Sequence, residues 1–353
     1  MNGSTADSTK EAGVVKVALS GVGFMGKTHL GTYQKLGNVE IVALNDVRRE
    51  NMEITSLAAG GNIQTASDSI DLSHARKYED FGEMLKSGGF DFVDICLPTC
   101  CHADYSIRAM DAGYHVFCEK PMALTALEAD QMLAAVKRSD RLFSVGQCLR
   151  FWPAYVEVKK LLDSGKYGKV KYAEFARLSS PPTWGWDGWL LDGKRSGNAA
   201  LDLHIHDVDM LLHLLGKPQS VRSTGVVEPD GSVSHIVSVY TYPGMAVSST
   251  GGWNCSDSFG FNMRALFVLE GATIELDFSK DPVVALAPKG GKKAAVPLPA
   301  GDGYYHELAD FTAGIAAGKL SGMVTGESAA ESVKLALAEI ESVKQGKEIP
   351  VRF

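Results

Sequence analysis

Lys120, Asp202 and His206 are the residues of this 353-residue chain whose types and spacing point most directly to acid–base chemistry. Asp202 and His206 are four residues apart, so on a helix they lie one turn apart on the same face, where a carboxylate can orient an imidazole. An imidazole held in this way is suited to act as a general base near neutral pH. Lys120, within Glu119-Lys120-Pro121, offers an ammonium group that can hold a hydroxyl and stabilise the alkoxide that develops from it. The three residues therefore predict proton removal from an alcohol.

The same segment allows a competing metal-site interpretation, because His204, His206, Asp207 and Asp209 form an H-x-H-D cluster of the kind seen in metal-dependent hydrolases. Apolar spacing from Leu203 onward predicts a helix instead. On a helix, His204 and His206 point about 200° apart and cannot share one ion. We therefore expect no metal here.

A dinucleotide-binding turn is predicted near the start of the chain. Gly21, Gly23 and Gly26 form a G-x-G-x-x-G pattern between an apolar strand-like run, residues 14–19, and a helical pattern, residues 27–36. Backbone N–H groups and the helix dipole at such a turn can receive a pyrophosphate.

An acidic residue completes this fingerprint. The next apolar run, residues 39–44, is followed by Asp46, about twenty residues past the last glycine, where a carboxylate bonds the ribose hydroxyls of adenosine. This position favours NAD. NADP stays possible, because Arg48 and Arg49 can pair with a 2′-phosphate.

The elements that must position these residues fall into two regions. Strands and helices alternate up to about residue 148, which predicts a parallel sheet with helices on both faces. Its predicted strands after the first two are 76–78, 91–98, 115–118 and 142–145, and its predicted helices after the first are 48–59, a helix opening at His102 and ending by Gly113, and 125–136. A surface loop is predicted for residues 60–73.

Strand-like runs follow one another in the second region, which predicts an antiparallel sheet. They are residues 169–176, 220–227, 235–242, 246–251, 263–269 and 272–278, and two helical patterns follow at 304–317 and 328–343. In residues 265–269 both alternating faces are apolar, so one face needs a cover, and a partner subunit is the simplest one. All five tryptophans lie in this later part of the chain.

Composition narrows the class of protein. The formal net charge of −7 offers no basic field for nucleic acid or anionic lipid. No run is apolar enough to span a bilayer, and residues 1–13 form a polar stretch that we interpret as a disordered leader on a cytoplasmic protein. The spacing of the six cysteines, of which Cys100 and Cys101 are adjacent, does not indicate a disulfide framework. We therefore expect reduced thiols that pack inside the protein.

The order of these motifs resembles the glucose-fructose oxidoreductase and inositol dehydrogenase family, Gfo/Idh/MocA, over nearly the whole chain. The resemblance implies an α/β fold: an N-terminal Rossmann domain with a doubly wound parallel sheet, residues 14–148, and a C-terminal α/β domain with an open, mostly antiparallel sheet, residues 149–353. The outer face of that second sheet would build a homodimer or homotetramer, and the C-terminal helices can pack back on the Rossmann domain.

The resemblance also implies roles for individual residues. Lys120, Asp202 and His206 carry over as the catalytic group, and Thr99 stands where the family usually has Asn. The predicted cofactor-binding residues are Gly21, Gly23, Phe24, Met25, Gly26, Asp46, Arg48, Leu97, Pro98, Thr99, His102, Glu119, Lys120 and Gln147. The predicted substrate-binding residues are Arg150, Trp184, Trp189, Tyr304, Lys120 and His206. Trp186 belongs to the same loop; its tryptophans either stack on a sugar ring or pack domain against domain, and Trp152 and Trp253 fit a packing role better.

These expectations converge on an NAD(P)-dependent oxidoreductase acting on a secondary alcohol or ketone of a sugar, a sugar derivative or a cyclic polyol. Two alternatives stay open. A glycoside-cleaving enzyme with an internally recycled NAD would use the same residues, and a non-catalytic dinucleotide sensor would bind the cofactor without turnover.

Overall fold

The computed structural model of the chain describes residues 13–58 and 68–353. The predicted leader, apart from Gly13, lies outside these ranges, as do residues 60–67 of the predicted surface loop. No helix in the described ranges is both long and apolar enough to cross a bilayer.

The N-terminal region forms a parallel sheet flanked by helices. Its strands are β1 (Val15–Ser20), β2 (Val39–Asn45), β3 (Arg76–Tyr78), β4 (Phe92–Ile95), β5 (His115–Cys118) and β6 (Phe143–Val145). Its helices are α1 (Phe24–Leu36), α2 (Phe81–Ser87), α3 (His102–Asp111) and α4 (Ala126–Ser139). The strand order β3-β2-β1-β4-β5-β6 is that of the doubly wound dinucleotide-binding fold. The predicted Rossmann architecture is therefore confirmed.

Local sequence explains why these elements begin and end where they do. Apart from the exposed Lys16, the residues of β1 and β4 are buried and most of them are apolar, as strands covered by helices on each side require. Helix α1 ends at Gly37, whose φ of 70° suits a residue without a side chain. Helix α4 starts with a capping box between Thr125 and Glu128.

The second region forms a nine-stranded, mostly antiparallel sheet. Its strands are β7 (Val170–Leu178), β8 (Ser220–Val227), β9 (Val233–Tyr242), β10 (Met245–Gly252), β11 (Asn262–Leu269), β12 (Ala272–Asp277), β13 (Val284–Pro288), β14 (Ala294–Ala295) and β15 (Ile349–Pro350). Its helices are α5 (Pro153–Asp163), α6 (Gly193–Ser196), α7 (Asn198–Asp202), α8 (Ile205–Leu215), α9 (Gly303–Ala317) and α10 (Gly326–Gln345). The order is β14-β13-β12-β11-β7-β10-β9-β8-β15, and only the β7–β10 pair is parallel among these described strands. The predicted second sheet is confirmed.

The C-terminal helices join the two regions. Helix α9 packs against α1 and β1. Its Phe311 also makes edge-to-face contacts with Phe92 on β4 and Phe117 on β5, at ring-centroid distances of 5.3 and 5.2 Å. Helix α10 lies against α4 on one side and against α8 and β8 on the other. The last third of the chain thereby fixes the second sheet against the first domain.

Two helical segments differ from the prediction. In the described part of the helical pattern predicted for residues 48–59, the structure has only a single 3-10 turn, Arg49–Met52, because the Asp46 carboxylate accepts hydrogen bonds from the Arg48 backbone N–H and the Asn51 amide and holds a tight turn. Helix α5, which the sequence analysis did not predict, begins at Pro153 and buries Ala154, Tyr155 and Val158 on one face.

Candidate active site

One cavity of about 740 Å³ lies between the two regions. The glycine turn and the carboxyl ends of the parallel strands form one wall, and the loop that precedes α6, together with α7 and α8, forms the other. The crevice at the carboxyl ends of a doubly wound sheet is where such folds bind their ligands. The cavity is therefore the candidate active site.

The glycine turn has the geometry that a pyrophosphate site needs. Gly21 has a φ of +94°, and a Cβ on it would lie 2.4 Å from the Cys96 carbonyl oxygen. A Cβ on Gly26 would lie 2.0 Å from the Gly21 carbonyl oxygen, which explains why this position packs the turn instead of lining the cavity. A Cβ on Gly23 would meet no described atom within 4 Å, so the turn is open on its cavity side.

The first turn of α1 is free to receive an anion. In the described structure no side chain caps its N-terminus at Gly23, and its first turn has no acidic residue. The backbone N–H groups and the positive end of the helix dipole are therefore available to a phosphate group. These residues fit the pyrophosphate of a dinucleotide.

Asp46 is placed at the end of β2, beside the glycine turn. Its carboxylate accepts the Val22 N–H at 2.9 Å through Oδ2, while Oδ1 accepts from Arg48 and Asn51. It lines the cavity, where it remains positioned to accept a ribose hydroxyl.

Most of the other predicted cofactor residues also line the cavity: Phe24, Met25, Arg48, Leu97, Pro98, Glu119 and Lys120. Thr99, His102 and Gln147 are buried and are not among its described lining residues. His102 instead joins two loops, since its Nδ1 lies 2.7 Å from the Pro121 carbonyl oxygen and its Nε2 2.8 Å from that of Leu97. His102 thus ties the loop after β4 to the loop that carries Lys120.

Lys120 and Asp202 are in direct contact. The Lys120 ammonium donates a hydrogen bond of 2.8 Å to the Asp202 backbone carbonyl, and its Nζ lies 3.3 Å from the Asp202 Oδ1. Burial raises the pKa of Asp202, and the positive charge of Lys120 opposes that rise. Both side chains line the cavity.

The predicted pairing of Asp202 with His206 is wrong. The two residues do not lie on one continuous helix, because α7 ends at Asp202 and α8 begins at Ile205, with a break at Leu203 and His204. Within the described residues no hydrogen bond joins Asp202 to His206. The carboxylate is directed at Lys120 because the lysine offers a charged donor at close range.

His206 lines the cavity as a neutral imidazole. Its Nδ1 is buried without a partner among the described residues, which leaves Nε2 as the nitrogen facing the cavity. Burial, and then the charges of Lys120 and Arg177, place the pKa of His206 well below the ordinary histidine value of 6.5. The expectation that Asp202 favours the imidazolium is therefore wrong, and the resting side chain is ready to accept a proton.

The neighbouring acidic and histidine residues have separate partners, which removes the metal-site interpretation. His204 Nε2 lies 3.1 Å from Glu339 on α10, while Asp207 pairs with Arg177 and Asp209 with Arg150. These side chains point into different parts of the fold, so they cannot converge on one ion.

Arg150 is not a cavity residue in the described structure. Its guanidinium forms a two-pronged ion pair with Asp209, at 2.8 and 2.7 Å, and donates to the Met323 carbonyl and the Ser328 hydroxyl. It is buried between α8 and the start of α10. The structure does not support the prediction that it binds substrate, because each of its three side-chain nitrogens donates to a protein acceptor.

Aromatic side chains line the second wall. Trp184 and Trp189 line the cavity and pack with Trp253 and Leu203 of the same region, so stacking on a sugar ring stays a prediction. Trp186 is 46% exposed and lies under the Arg48 guanidinium, 5.4 Å from its ring centroid.

Trp152, Trp253 and Tyr304 also line the cavity. Trp152 packs edge-to-face on Tyr304 at 5.7 Å, and burial raises the pKa of the Tyr304 hydroxyl well above its ordinary value. Trp152 and Trp253 therefore have cavity faces in addition to the packing role predicted for them.

Arg177 is a cavity residue that the sequence analysis missed. It is buried on β7, is paired with Asp207 at 2.9 Å, and places Nη1 2.7 Å from the Met263 sulfur. The predicted strand stopped at residue 176, one position short of Arg177; extending it would have placed Arg177 at the strand end. A thioether is a weak acceptor, so this N–H is the one most easily redirected to a ligand.

The adjacent cysteines lie at the cavity wall as free thiols. Their Sγ atoms are 3.9 Å apart. Burial, followed by the neighbouring Cys100, raises the pKa of Cys101 to about 12, so this thiol stays protonated at neutral pH.

Comparison with known proteins agrees with this arrangement. Residues 15–147 match the model of an oxidoreductase family described by its NAD-binding Rossmann fold, and residues 155–275 match the GFO/IDH/MocA C-terminal domain.

Individual relatives and a solved structure are also similar to this chain. An inositol 2-dehydrogenase from Rhizobium meliloti is 29% identical over 298 residues, which cover 82% of this chain and 80% of that protein. The uncharacterized oxidoreductase YrbE from Bacillus subtilis is 27% identical over 57% of this chain, and the match spans 54% of that protein. A levoglucosan dehydrogenase, solved with NADH and levoglucosan, superimposes with a TM-score of 0.82 at 19% identity, covering 96% of this chain and all of that one.

Proposed function

Because this chain belongs to the Gfo/Idh/MocA family of oxidoreductases, we propose that it is an NAD-dependent dehydrogenase of a sugar, a sugar derivative or a cyclic polyol such as an inositol. The observation that carries the proposal is one cavity that holds the open glycine turn, the Lys120 ammonium and the neutral His206 imidazole. The aromatic wall of Trp184 and Trp189 suits the C–H face of a sugar or polyol ring.

Lys120 holds the reacting oxygen. A lysine ammonium has three donors, and in this structure two are directed at Asp202, so the third is left for a substrate hydroxyl. Its charge stabilises the negative charge that develops on that oxygen in the transition state. Asp202 keeps the ammonium in place.

His206 removes the hydroxyl proton, for which its neutral form is the competent one. When bound, NAD supplies the nicotinamide ring that accepts the hydride. In the reverse direction the protonated imidazole returns the proton to the alkoxide. The glycoside-cleaving alternative would use the same residues, and no feature of the site favours it over simple dehydrogenation.

The activity is tested by the absorbance of reduced nicotinamide, with NAD and then NADP, against inositols, free sugars, glycosides and anhydrosugars. We expect the band to grow with polyols or sugars, and faster with NAD, because the Asp46 carboxylate repels a 2′-phosphate. Faster growth with NADP would contradict the Asp46 assignment. No growth with any substrate, while NADH still binds, would contradict a freely exchanging dehydrogenase.

We also propose that the outer face of the nine-stranded sheet joins two or four copies of the chain. Val237 and Val239 on β9 are 41% and 58% exposed, and they alternate along the strand with the buried Ile236, Ser238 and Tyr240. Exposed valines on a sheet face favour burial against a second sheet.

All six thiols are free, which supports our prediction of a cytoplasmic protein.

The oligomer has a direct test by light scattering. The wild type should have two or four times the mass of one chain, and Val239→Lys should reduce it, because the ammonium cannot be desolvated in the interface. Leu127→Lys, at a residue 67% exposed on α4, is the matched control and should keep the wild-type mass. A wild-type monomer would contradict this interface.

A further inference from the structure

Four ionisable side chains are buried directly beneath the loop that carries Lys120. They are His29 on α1, Asp94 on β4, Glu119 after β5 and Glu307 on α9, and none is more than 5% exposed. The proposed reaction uses none of them directly. Because buried charges are costly unless they are paired, this group needs its own explanation.

One half of the group is well paired. His29 Nδ1 lies 2.8 Å from the Asp94 Oδ2, and the Tyr33 hydroxyl donates to the same oxygen at 2.7 Å. Burial opposes the charge on His29, but Asp94 and Cys96 together outweigh it and raise the pKa of the imidazole well above its ordinary value. His29 and Asp94 therefore form an imidazolium–carboxylate pair.

The other half has no hydrogen bond between its described side chains. The His29 Nε2 is 3.1 Å from the Glu119 Oε1, without the angles of a hydrogen bond, and neither oxygen of Glu307 has a partner among the described residues. The facing atoms of His29, Glu119 and Glu307 lie within 4.8 Å of one another. Glu119 differs from Glu307 because its second oxygen accepts the Lys120 backbone N–H at 3.0 Å.

Charge balance then decides which group holds a proton. Three carboxylates face one imidazolium, and in the described part of the chain no lysine or arginine side chain bonds to any of the three. Ionisation of all three would leave two uncompensated negative charges in the protein interior. Glu307 has no hydrogen-bond donor, so its ionised form is the least stabilised.

The carboxylates around Glu307 support this assignment, while the charge of His29 opposes it. Glu119, His29 and Asp94 face it from the first domain, and Asp302 lies at the start of its own helix. Burial, and next the charge of Glu119, raise the pKa of Glu307 well above its ordinary value.

We propose that Glu307 is held as a neutral carboxylic acid and that it acts, through Glu119, as a positioning residue for Lys120. The role at Lys120 rests on the function proposed above. A charged Glu307 would repel Glu119, whose other oxygen holds the Lys120 backbone, and would displace the ammonium from the reacting oxygen. The proton on Glu307 thereby keeps the catalytic loop in place.

A divalent metal on His29, Glu119 and Glu307 is the competing way to balance the charge, since a carboxylate behind a histidine ligand is common at metal sites. Burial of these side chains favours the proton, because a proton does not need an entry path wide enough for a metal ion. Elemental analysis of the purified protein separates the two. One equivalent of metal, lost in Glu307→Gln, would overturn the proposal.

Infrared spectroscopy tests the protonation state without any reference to activity. The wild type at neutral pH should show the carbonyl stretch of a buried carboxylic acid, and Glu307→Gln should lack it. The matched control is Glu341→Gln, at an exposed position on α10, which should keep the band. An unchanged spectrum in Glu307→Gln would refute a neutral Glu307.

Thermal unfolding gives a second test with a definite sign. A carboxyl whose folded pKa is raised stabilises the folded state at low pH relative to high pH, so its contribution is lost as the pH rises above the ordinary value of 4.5. Glu307→Gln cannot ionise, so its Tm relative to wild type should increase from acidic to alkaline pH. A constant difference would refute the raised pKa.

Kinetics test the positioning role. Glu307→Gln keeps a neutral donor and should rescue turnover to within about threefold of wild type, without the alkaline decline that ionisation of Glu307 causes. Glu307→Leu also carries no charge and should likewise lack that alkaline decline, with NADH affinity unchanged. An alkaline decline that persists unchanged in both variants would refute the positioning role. If the infrared band is present but Lys120→Ala retains full activity, the proposed function fails while the neutral Glu307 stands.

Discussion

Lys120→Ala should lower kcat for alcohol oxidation by roughly 10²–10³-fold, the loss typical when one preorganised donor to a developing oxyanion is removed. The ammonium is the only described cavity group that is both positively charged and fixed next to Asp202, with its Nζ 2.8 Å from the backbone carbonyl. The dissociation constant of NADH should change little, because the glycine turn and Asp46 lie apart from the ammonium in the cavity wall. Stopped-flow turnover and NADH fluorescence titration measure the two quantities separately.

Controls separate chemistry from folding in this variant. Loss of the lysine leaves the buried Asp202 without its cation, and the pKa of that carboxyl, already raised by burial, should rise further. Lys120→Ala combined with Asp202→Asn removes the charge altogether and should recover stability but not turnover. Recovery of turnover in the double variant, or wild-type turnover in Lys120→Ala, would exclude Lys120 from the mechanism.

Predictions from the sequence are confirmed where the contacts are local. The glycine turn depends on Gly21, Gly23 and Gly26, which lie within six residues of one another, and their roles follow from backbone geometry alone. Alternating strand and helix patterns predicted the first sheet and successive strand-like runs predicted the second, because burial of both faces or one face of a strand leaves its own periodicity in the sequence. The order of the cavity-forming strand ends then followed from the doubly wound topology.

Predictions from the sequence are wrong where a side chain has several possible partners far along the chain. Asp202 was paired in the prediction with His206, four residues away, yet it bonds Lys120, which is 82 residues away. Arg150 was expected at the substrate and instead pairs with Asp209, 59 residues away. A sequence shows which charges are present, but the choice among partners depends on how elements far apart in the chain pack, and this is absent from local patterns.

The break between α7 and α8 shows the same limit on a smaller scale. Apolar spacing from Leu203 onward, with Asp202 and His206 four residues apart, predicts one helix that carries both residues. His204, at the break, has its Nε2 3.1 Å from Glu339 on α10, and this long-range contact accompanies the break. The break also brings the Asp202 backbone carbonyl within reach of Lys120, which a continuous helix would have used internally.

His206→Ala should lower kcat by roughly 10²–10⁴-fold, the usual contribution of a positioned general base, with NADH binding retained. The pH profile makes the assignment specific. Because the pKa of His206 lies well below 6.5, wild-type kcat/KM for oxidation should be flat near neutral pH and should fall only in the acid range, as the imidazole takes up a proton. This acid limb should be missing from the residual activity of His206→Ala.

Two further variants make the test sharper. His213→Asn, on the same helix but not among the described cavity residues, should keep both turnover and the acid limb. Lys120→Ala should move the acid limb of its residual activity to higher pH, because the charge of Lys120 is one of the causes that lower the pKa of His206. An acid limb that stays in place in Lys120→Ala, or that persists in His206→Ala, would assign the proton transfer to another group.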